Sequence, residues 1–222
     1  MAELNGGQIA ARQIKAAGID TIFGVVGGPM IQVFAGATEV GLKVVNCRHE
    51  ESACFMASAW GFVNRKPGVM VAASGPGMTN TVTSLHVATE SAMPLVVLGG
   101  SSASATNGLG GFQEADQIAF ARPGSKWVQR VDSTQRIAEL TRLALARSVL
   151  GRPGGVYLDL HAVSEAHIDG LGDLMDGPDP SELAKNPKLA EKQSCPKQAA
   201  DLAATSPRSR RDLAAISPRP PP

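Results

Sequence analysis

The chain has 222 residues, 43% of them hydrophobic and 18% charged, and its 21 Lys and Arg against 20 Asp and Glu leave a net charge of +1. That apolar share fills a sizeable core, and the charge balance excludes a basic nucleic-acid module or an acidic tail protein. Three cysteines (Cys47, Cys54, Cys195) cannot build a disulfide framework, no apolar run reaches the roughly 18 residues of a membrane span, and neither a signal-peptide core nor a peroxisomal C-terminus is visible. The expectation is an intracellular protein, cytoplasmic or peroxisomal, with no membrane and no nucleic acid among its partners.

In chain order, helical spacing runs over 8–17 and stops at Gly18. Residues 21–26 read as a buried strand. Residues 29–40 read as a helix, with Pro29 suited to its first turn. A short strand spans 43–47, and a helix spans 50–64, ended by Lys66-Pro67-Gly68. A strand over 69–73, a helix over 78–90 and a strand over 95–98 follow. After a loop come a strand near 127–130, a helix over 133–150 capped by Ser133, and a last strand over 156–160. Strands that are near-continuous apolar runs, alternating with helices, predict an α/β fold: a doubly wound parallel sheet of about six strands with helices on both faces. Ligands of such sheets sit at the carboxyl ends of the strands. The loops to watch are therefore 24–29, 48–51, 74–80, 99–113 and 161–163.

Composition shifts near Asp169. Residues 169–222 hold 9 of the 15 prolines, no aromatic residue, and eight acids against eight bases. Such a segment buries too little apolar surface to offset its ordering entropy. The predicted organisation is a domain over 1–168 and a disordered, low-complexity tail over 169–222, with short helix around 181–192.

Several familiar motifs fail on inspection. Gly24-Val25-Val26-Gly27-Gly28 is not G-x-G-x-x-G, and the second strand ends in Asn46-Cys47 with no acid for a ribose hydroxyl. Gly36 and Gly41 have P-loop spacing, but Leu42 stands where Lys is required. Ser74 lacks the flanking glycines of a nucleophile elbow, because Ala72 and Pro76 take their places, and reads as a helix cap. Cys47, His49 and Cys54 match no zinc spacing, so the cysteines read as small buried hydrophobes. Glu50 differs. It stands where the second strand ends and a helix of small residues begins (Ser52, Ala53, Ala57, Ser58, Ala59, Gly61). Desolvation there favours the protonated carboxyl, as a proton shuttle requires. A helix N-terminus also suits any acid for its dipole alone.

The motifs in order are Phe23-Gly24-Val25-Val26-Gly27-Gly28-Pro29, then Arg48-His49-Glu50-Glu51-Ser52-Ala53-Cys54-Phe55-Met56-Ala57, then Ser74-Gly75-Pro76-Gly77-Met78-Thr79-Asn80. Pro94-Leu95-Val96-Val97-Leu98-Gly99-Gly100-Ser101-Ser102, Gly111-Phe112-Gln113-Glu114 and Gly151-Arg152-Pro153-Gly154-Gly155 complete the series. This series resembles the N-terminal, pyrimidine-binding domain of thiamine-diphosphate-dependent enzymes of the acetolactate synthase, oxalyl-CoA decarboxylase and 2-hydroxyacyl-CoA lyase group. It looks most like the lyases, which cleave 2-hydroxyacyl-CoA to formyl-CoA and an aldehyde. The oxalyl-CoA decarboxylase and acetolactate synthase types are the alternatives, and a non-catalytic module that associates with full-length relatives is a third.

The resemblance implies that Glu50 hydrogen-bonds the cofactor's aminopyrimidine ring and serves as the catalytic carboxylate, with Phe112 and Gln113 facing the reacting carbon. Gly27, Gly28, Pro29, Ser74, Gly75, Pro76, Gly77 and Asn80 would surround the ring. Glu51 stands where the family commonly has glutamine. The family's Gly-Asp-Gly motif for Mg²⁺ and the diphosphate has no counterpart here, Gly172-Asp173-Leu174 being the nearest. The expectation is thus a truncated or split enzyme. Its thiamine diphosphate would be anchored, with Mg²⁺, by a missing or partner diphosphate-binding domain in a homo- or hetero-oligomer, and its substrate would be of acyl-CoA type.

Overall fold

The computed structural model describes residues 4–101 and 108–161. Six strands form one all-parallel sheet in the order β2-β1-β3-β4-β6-β5. They are β1 (Thr21–Gly24), β2 (Lys43–Asn46), β3 (Gly68–Ala72), β4 (Leu95–Gly100), β5 (Trp127–Val131) and β6 (Gly155–Leu160). The helices are α1 (Gly6–Ala16), α2 (Ile31–Glu39), α3 (Glu50–Asn64), α4 (Pro76–Thr79), α5 (Val82–Glu90), α6 (Gln117–Ala121) and α7 (Ile137–Val149). This is the doubly wound α/β sheet that the alternation of elements predicts. The tail over 169–222, and the boundary assigned to it, lie outside the described residues.

Strand periodicity divides the core into two layers. Val69, Val71, Val96, Leu98, Val156 and Leu158 point to one face, where α1, α2 and α7 cover them with Ile9, Ile14, Val33, Phe34, Leu140 and Leu143. Met70, Ala72, Leu95, Val97 and Tyr157 point to the other, where α3 and α5 bring Ala53, Cys54, Ala57, Leu85 and Ala88. Every residue of β3, β4 and β6 is buried, so these strands carry apolar residues at both parities. The chain leaves β1 toward β2 and then crosses back over β1 to β3. The loops after β1 and β3 thus run to opposite faces, and the crevice between them is the topological switch point.

Four local features depart from the sequence expectation. Helix α1 begins two residues early because Asn5 and Gln8 form a capping box: Gln8 N donates to Asn5 Oδ1 at 2.9 Å and Asn5 N to Gln8 Oε1 at 3.0 Å. The single helix expected over 78–90 is two, α4 and α5. The Thr81 hydroxyl and amide both return to the Met78 carbonyl, at 2.7 and 2.8 Å, and interrupt the ladder at Asn80–Thr81. Helix α6 is a turn and a half within the stretch expected as loop before β5, capped by Asp116 through Ala119 N at 3.2 Å. Ser133 does not cap α7. Its hydroxyl turns to the Gln135 side chain, and a 3₁₀ turn over Thr134–Arg136 precedes the helix.

Helix α3 lies against the sheet with almost no side chain between. A Cβ placed on Gly61 would stand 2.6 Å from the Pro94 carbonyl oxygen and 2.7 Å from Gly68 N, and one on Gly68 would strike the Ala57 carbonyl. All of these are backbone atoms, which cannot rotate away. Gly61→Ala would gain about 1 kcal/mol of helix propensity against an overpacking cost of about 1–3 kcal/mol. The expected outcome is net destabilisation, read as a lower urea midpoint at unchanged slope.

Candidate functional site

Helix α3 starts directly after β2, and His49 is its N-cap, extended in backbone, with Nδ1 accepting from Glu51 N at 3.3 Å. That cap fixes the first turn and sets Glu50 over the crevice. Glu50 is half-buried, and its Oε2 accepts a hydrogen bond from Asn80 Nδ2 at 3.0 Å. Among the described residues Oε1 has no hydrogen-bond partner. Beneath the carboxylate lie Ala53, Cys54 and Ala57, all fully buried. Burial pushes the Cys54 thiol far up, and the charges of Glu50 and Glu51 push it further, so it is an inert apolar floor. Glu51 is also half-buried; its backbone carbonyl accepts from Ser84 Oγ at 3.2 Å.

The two glycine loops meet at the switch point. A Cβ on Gly27 would stand 2.7 Å from Ala73 Cβ, so the loops after β1 and β3 touch there. A Cβ on Gly77 would stand 3.6 Å from Glu50 Oε1, whereas Gly28 faces open space. Pro29 packs on Gly100 at the end of β4. Gly77, Asn80 and Glu50 are thus brought together, with Gly27 and Gly28 at the mouth and Pro76 exposed on the outer side.

Gly75 has φ +56°, a conformation an L side chain rarely adopts, and Gln113 packs its backbone over it: a Cβ there would lie 2.5 Å from Gln113 O. Ser74 is buried, and it is not a helix cap as its sequence suggested. Gly75 is the N-cap of α4, and Ser74 Oγ donates to Gln113 Oε1 at 3.3 Å instead. Gln113 itself is held at φ +61°, and its neighbour Phe112 is 91% exposed on the rim, so Phe112 is not drawn into the crevice.

Sequence reasoning missed a buried polar cluster beside this turn. Gln117, fully buried, accepts from Gly75 N at 2.6 Å and donates to Gly100 O at 2.9 Å, Tyr157 OH at 3.1 Å and Asp159 Oδ1 at 2.7 Å. Asp159 also accepts from Tyr157 OH at 3.1 Å and pairs with Arg130 Nε at 2.9 Å. Burial first, and then Asp159, hold the Tyr157 hydroxyl well above its usual range, so it stays protonated and can donate. The signal available in the sequence was Asp159, an acid inside the apolar strand 156–160, which requires buried partners.

A carboxylate with one uncommitted oxygen, set at the switch point of a parallel sheet between two glycine loops, defines an α/β domain that binds a small polar ligand at its carboxyl edge. Residues 4–120 match the family described as "Thiamine pyrophosphate enzyme, N-terminal TPP binding domain", and the chain belongs to that family. It is 39% identical to the 2-hydroxyacyl-CoA lyase of Oryza sativa subsp. japonica over 158 residues, 71% of this chain and 27% of the relative. It is 40% identical to the oxalyl-CoA decarboxylase of Escherichia coli (strain K12) over 160 residues, 71% of this chain and 28% of the relative. It is 34% identical to a probable acetolactate synthase of Mycobacterium bovis over 185 residues, 80% of this chain and 34% of the relative. The chain spans about a third or less of the length of these relatives. Among the described residues no helix is long and apolar enough to cross a membrane.

The turn that carries Phe112 and Gln113 depends on Glu114. Its carboxylate accepts from Gly108 N and from Gly111 N, the latter at 2.9 Å, and these bonds hold it below the ordinary glutamate range. A carboxylate depressed in the folded state stabilises the turn above the unfolded value, and that stability is lost as pH falls through the folded one. In an NMR titration toward acid, the Gly108 and Gly111 amides are expected to lose exchange protection together as Glu114 protonates. Glu114→Gln should show the weakened protection already at neutral pH.

Proposed function

We propose that this chain supplies the pyrimidine-side half of a thiamine-diphosphate active site that cleaves a carbon–carbon bond in a 2-hydroxyacyl-CoA type substrate. The observation that carries the reading is Glu50: one oxygen fixed by Asn80, the other free and facing Gly77, which puts no side chain before it. That arrangement fits a flat ring presenting a nitrogen to a carboxylate. When bound, thiamine diphosphate supplies the electron sink for cleavage. The chain's own residues would bind and orient. Glu50 holds or passes a proton at the ring nitrogen through Oε1, Asn80 keeps its carboxylate aimed, and the apolar floor of Ala53, Cys54 and Ala57 keeps water from beneath it. Gln113 and the exposed Phe112 stand on the rim, where a substrate or partner chain would cover them.

Among the described residues no cluster of three His, Cys, Asp or Glu could hold a metal ion. In this reading Mg²⁺ and the diphosphate belong to a separate diphosphate-binding domain, such as a partner chain supplies. Helix α3 offers the surface for it. Phe55, Met56, Phe62 and Val63 are exposed along one side of the helix that begins with Glu50, and single exposed apolar residues are ordinary where a stripe of four is not. A homo- or hetero-oligomer covering this stripe would reach the crevice through its near end, Phe55 and Met56, one to two turns from Glu50. Sedimentation should show association rising with concentration, and Phe62→Glu should return the chain to monomer. A wild-type chain that stays monomeric at high concentration excludes the self-associating form.

The assignment of Glu50 is tested by titrating the labelled full chain with thiamine diphosphate by NMR. Shifts should gather at Gly27, Gly28, Glu50, Gly77 and Asn80. Loss of a charge-assisted hydrogen bond, about 1.5–3 kcal/mol, should weaken binding roughly ten- to a hundredfold in Glu50→Gln, while Glu51→Gln stays near wild type. The same pair of variants, assayed with a complementary diphosphate-binding subunit, separates a catalytic carboxylate from a merely binding one. Turnover that survives Glu50→Gln would refute the role.

A further inference from the structure

We infer that Gln117 is a positioning residue of the crevice: its side-chain amide sets the Gly75 turn, and through that turn places Asn80 on Glu50. The inference rests on reading the crevice as the aminopyrimidine site. Three contacts define the amide's orientation. Gly100 O and the Asp159 carboxylate can only accept, so both must face Nε2; Gly75 N–H can only donate, so it must face Oε1. A flipped amide would set Gly75 N–H against a donor and the Gly100 and Asp159 oxygens against an acceptor, and the orientation is therefore dictated by chemistry.

The contact to Gly75 matters because of what Gly75 does. Its φ of +56° and ψ of −111° lie in the mirror-β region that glycine enters as readily as its mirror image, so the backbone there takes its angle from its surroundings. Helix α4 has no side-chain cap of its own. The restraint comes from Gln117 Oε1 at 2.6 Å and from the Gln113 backbone packed above. From Gly75 the chain runs through a single helical turn: Thr79 N donates to Gly75 O at 2.9 Å and Asn80 N to Pro76 O at 3.1 Å. A rotation at Gly75 therefore swings Asn80, whose Nδ2 fixes Glu50 Oε2 at 3.0 Å.

The other end of Gln117 is rigid. Asp159 and Tyr157 are fully buried on β6, and Asp159 is further held by Arg130 on β5. A line of polar contacts thus crosses the carboxyl edge of the sheet from Arg130 through Asp159 and Gln117 to Gly75, Asn80 and Glu50. The sheet's far edge is the anchor and the crevice carboxylate is the load. A packing role alone would ask only for a side chain of this size.

The test uses the full chain labelled with ¹⁵N and two variants. Gln117→Met keeps the volume and removes both the acceptor and the donors. The Gly75 amide is expected to lose exchange protection roughly tenfold or more, and the Asn80 side-chain amide to shift, while the amides of β3, β4 and β6 stay near their wild-type positions. Gln117→Glu keeps an acceptor for Gly75 but regains a donor to Asp159 only when protonated; ionised, it is pushed from Asp159 by like charge and the contact to Gly75 is displaced with it. With Asp159 and Tyr157 facing it and Arg130 beyond them, its Gly75 and Asn80 signals should approach wild type as pH falls and leave it as pH rises, and those of Gln117→Met should not respond. Gly75 and Asn80 signals unmoved in Gln117→Met, or disturbed no more than amides throughout β4 and β6, overturn the inference, as does Gln117→Glu without the pH response. A wild-type chain whose Glu50 and Asn80 signals ignore thiamine diphosphate refutes the functional reading instead, and Gln117 is then judged on Gly75 and Asn80 alone.

Discussion

The close approach of helix α3 to the sheet governs the rest of the structure. Ala53, Ala57 and Gly61 face β3 with nothing larger than a methyl group, and Gly68 lies under the Ala57 carbonyl. At that separation the helix has one height and one rotation available, because backbone atoms on both sides leave no slack for repacking. The first turn of α3 therefore arrives at a fixed point above the switch between β1 and β3, with Glu50 on the side of the crevice and Phe55, Met56, Phe62 and Val63 on the outside. A bulkier helix would have tolerated several placements and could not have aimed a carboxylate.

Polar groups then refine what packing has placed. Glu50 is steadied by Asn80, Asn80 by the single turn of α4, and that turn by Gly75. Gln117, Tyr157 and Asp159, which hold that turn, are buried away from water. In such a setting an unmade hydrogen bond costs far more than a made one contributes, so the cluster has one satisfied arrangement and transmits it. Rigidity at β5 and β6 is thereby lent to a loop that would otherwise be free to turn about a glycine.

The same geometry leaves the domain incomplete as a catalyst in the reading proposed here. Gly28 faces open space, the rim shows Phe112 to solvent, and among the described residues the outer side of α3 is apolar and exposed. The crevice and the rim lie at the carboxyl edge of the sheet, and the apolar stripe runs from there along α3 to the amino ends of β3 and β4. A partner seated over both would close the crevice, bury the stripe and bring the oxygen ligands that a diphosphate and its metal require.

Much of this was legible in the sequence. The apolar runs at 69–73, 95–98 and 156–160 could only be strands buried on both faces, and alternation with helices then dictated a parallel, doubly wound sheet. Small residues at 53, 57 and 61 announced the close helix, and Glu50 at its start, with the two glycine loops, marked the crevice. These are local signals: periodicity, residue size and turn chemistry act within a few residues of one another. What only tertiary structure decided is everything that depends on partners distant in the chain. Thr81 breaks the helix expected over 78–90, Ser74 turns from capping to Gln113, and Gln117 reads locally as an unremarkable polar residue in a loop. Its three acceptors and one donor come from Gly75, Gly100, Tyr157 and Asp159, 17 to 42 positions away. Hydrogen bonding is short-ranged and directional, so its satisfaction is settled by which groups the fold brings within 3 Å, and no spacing rule along the chain encodes that.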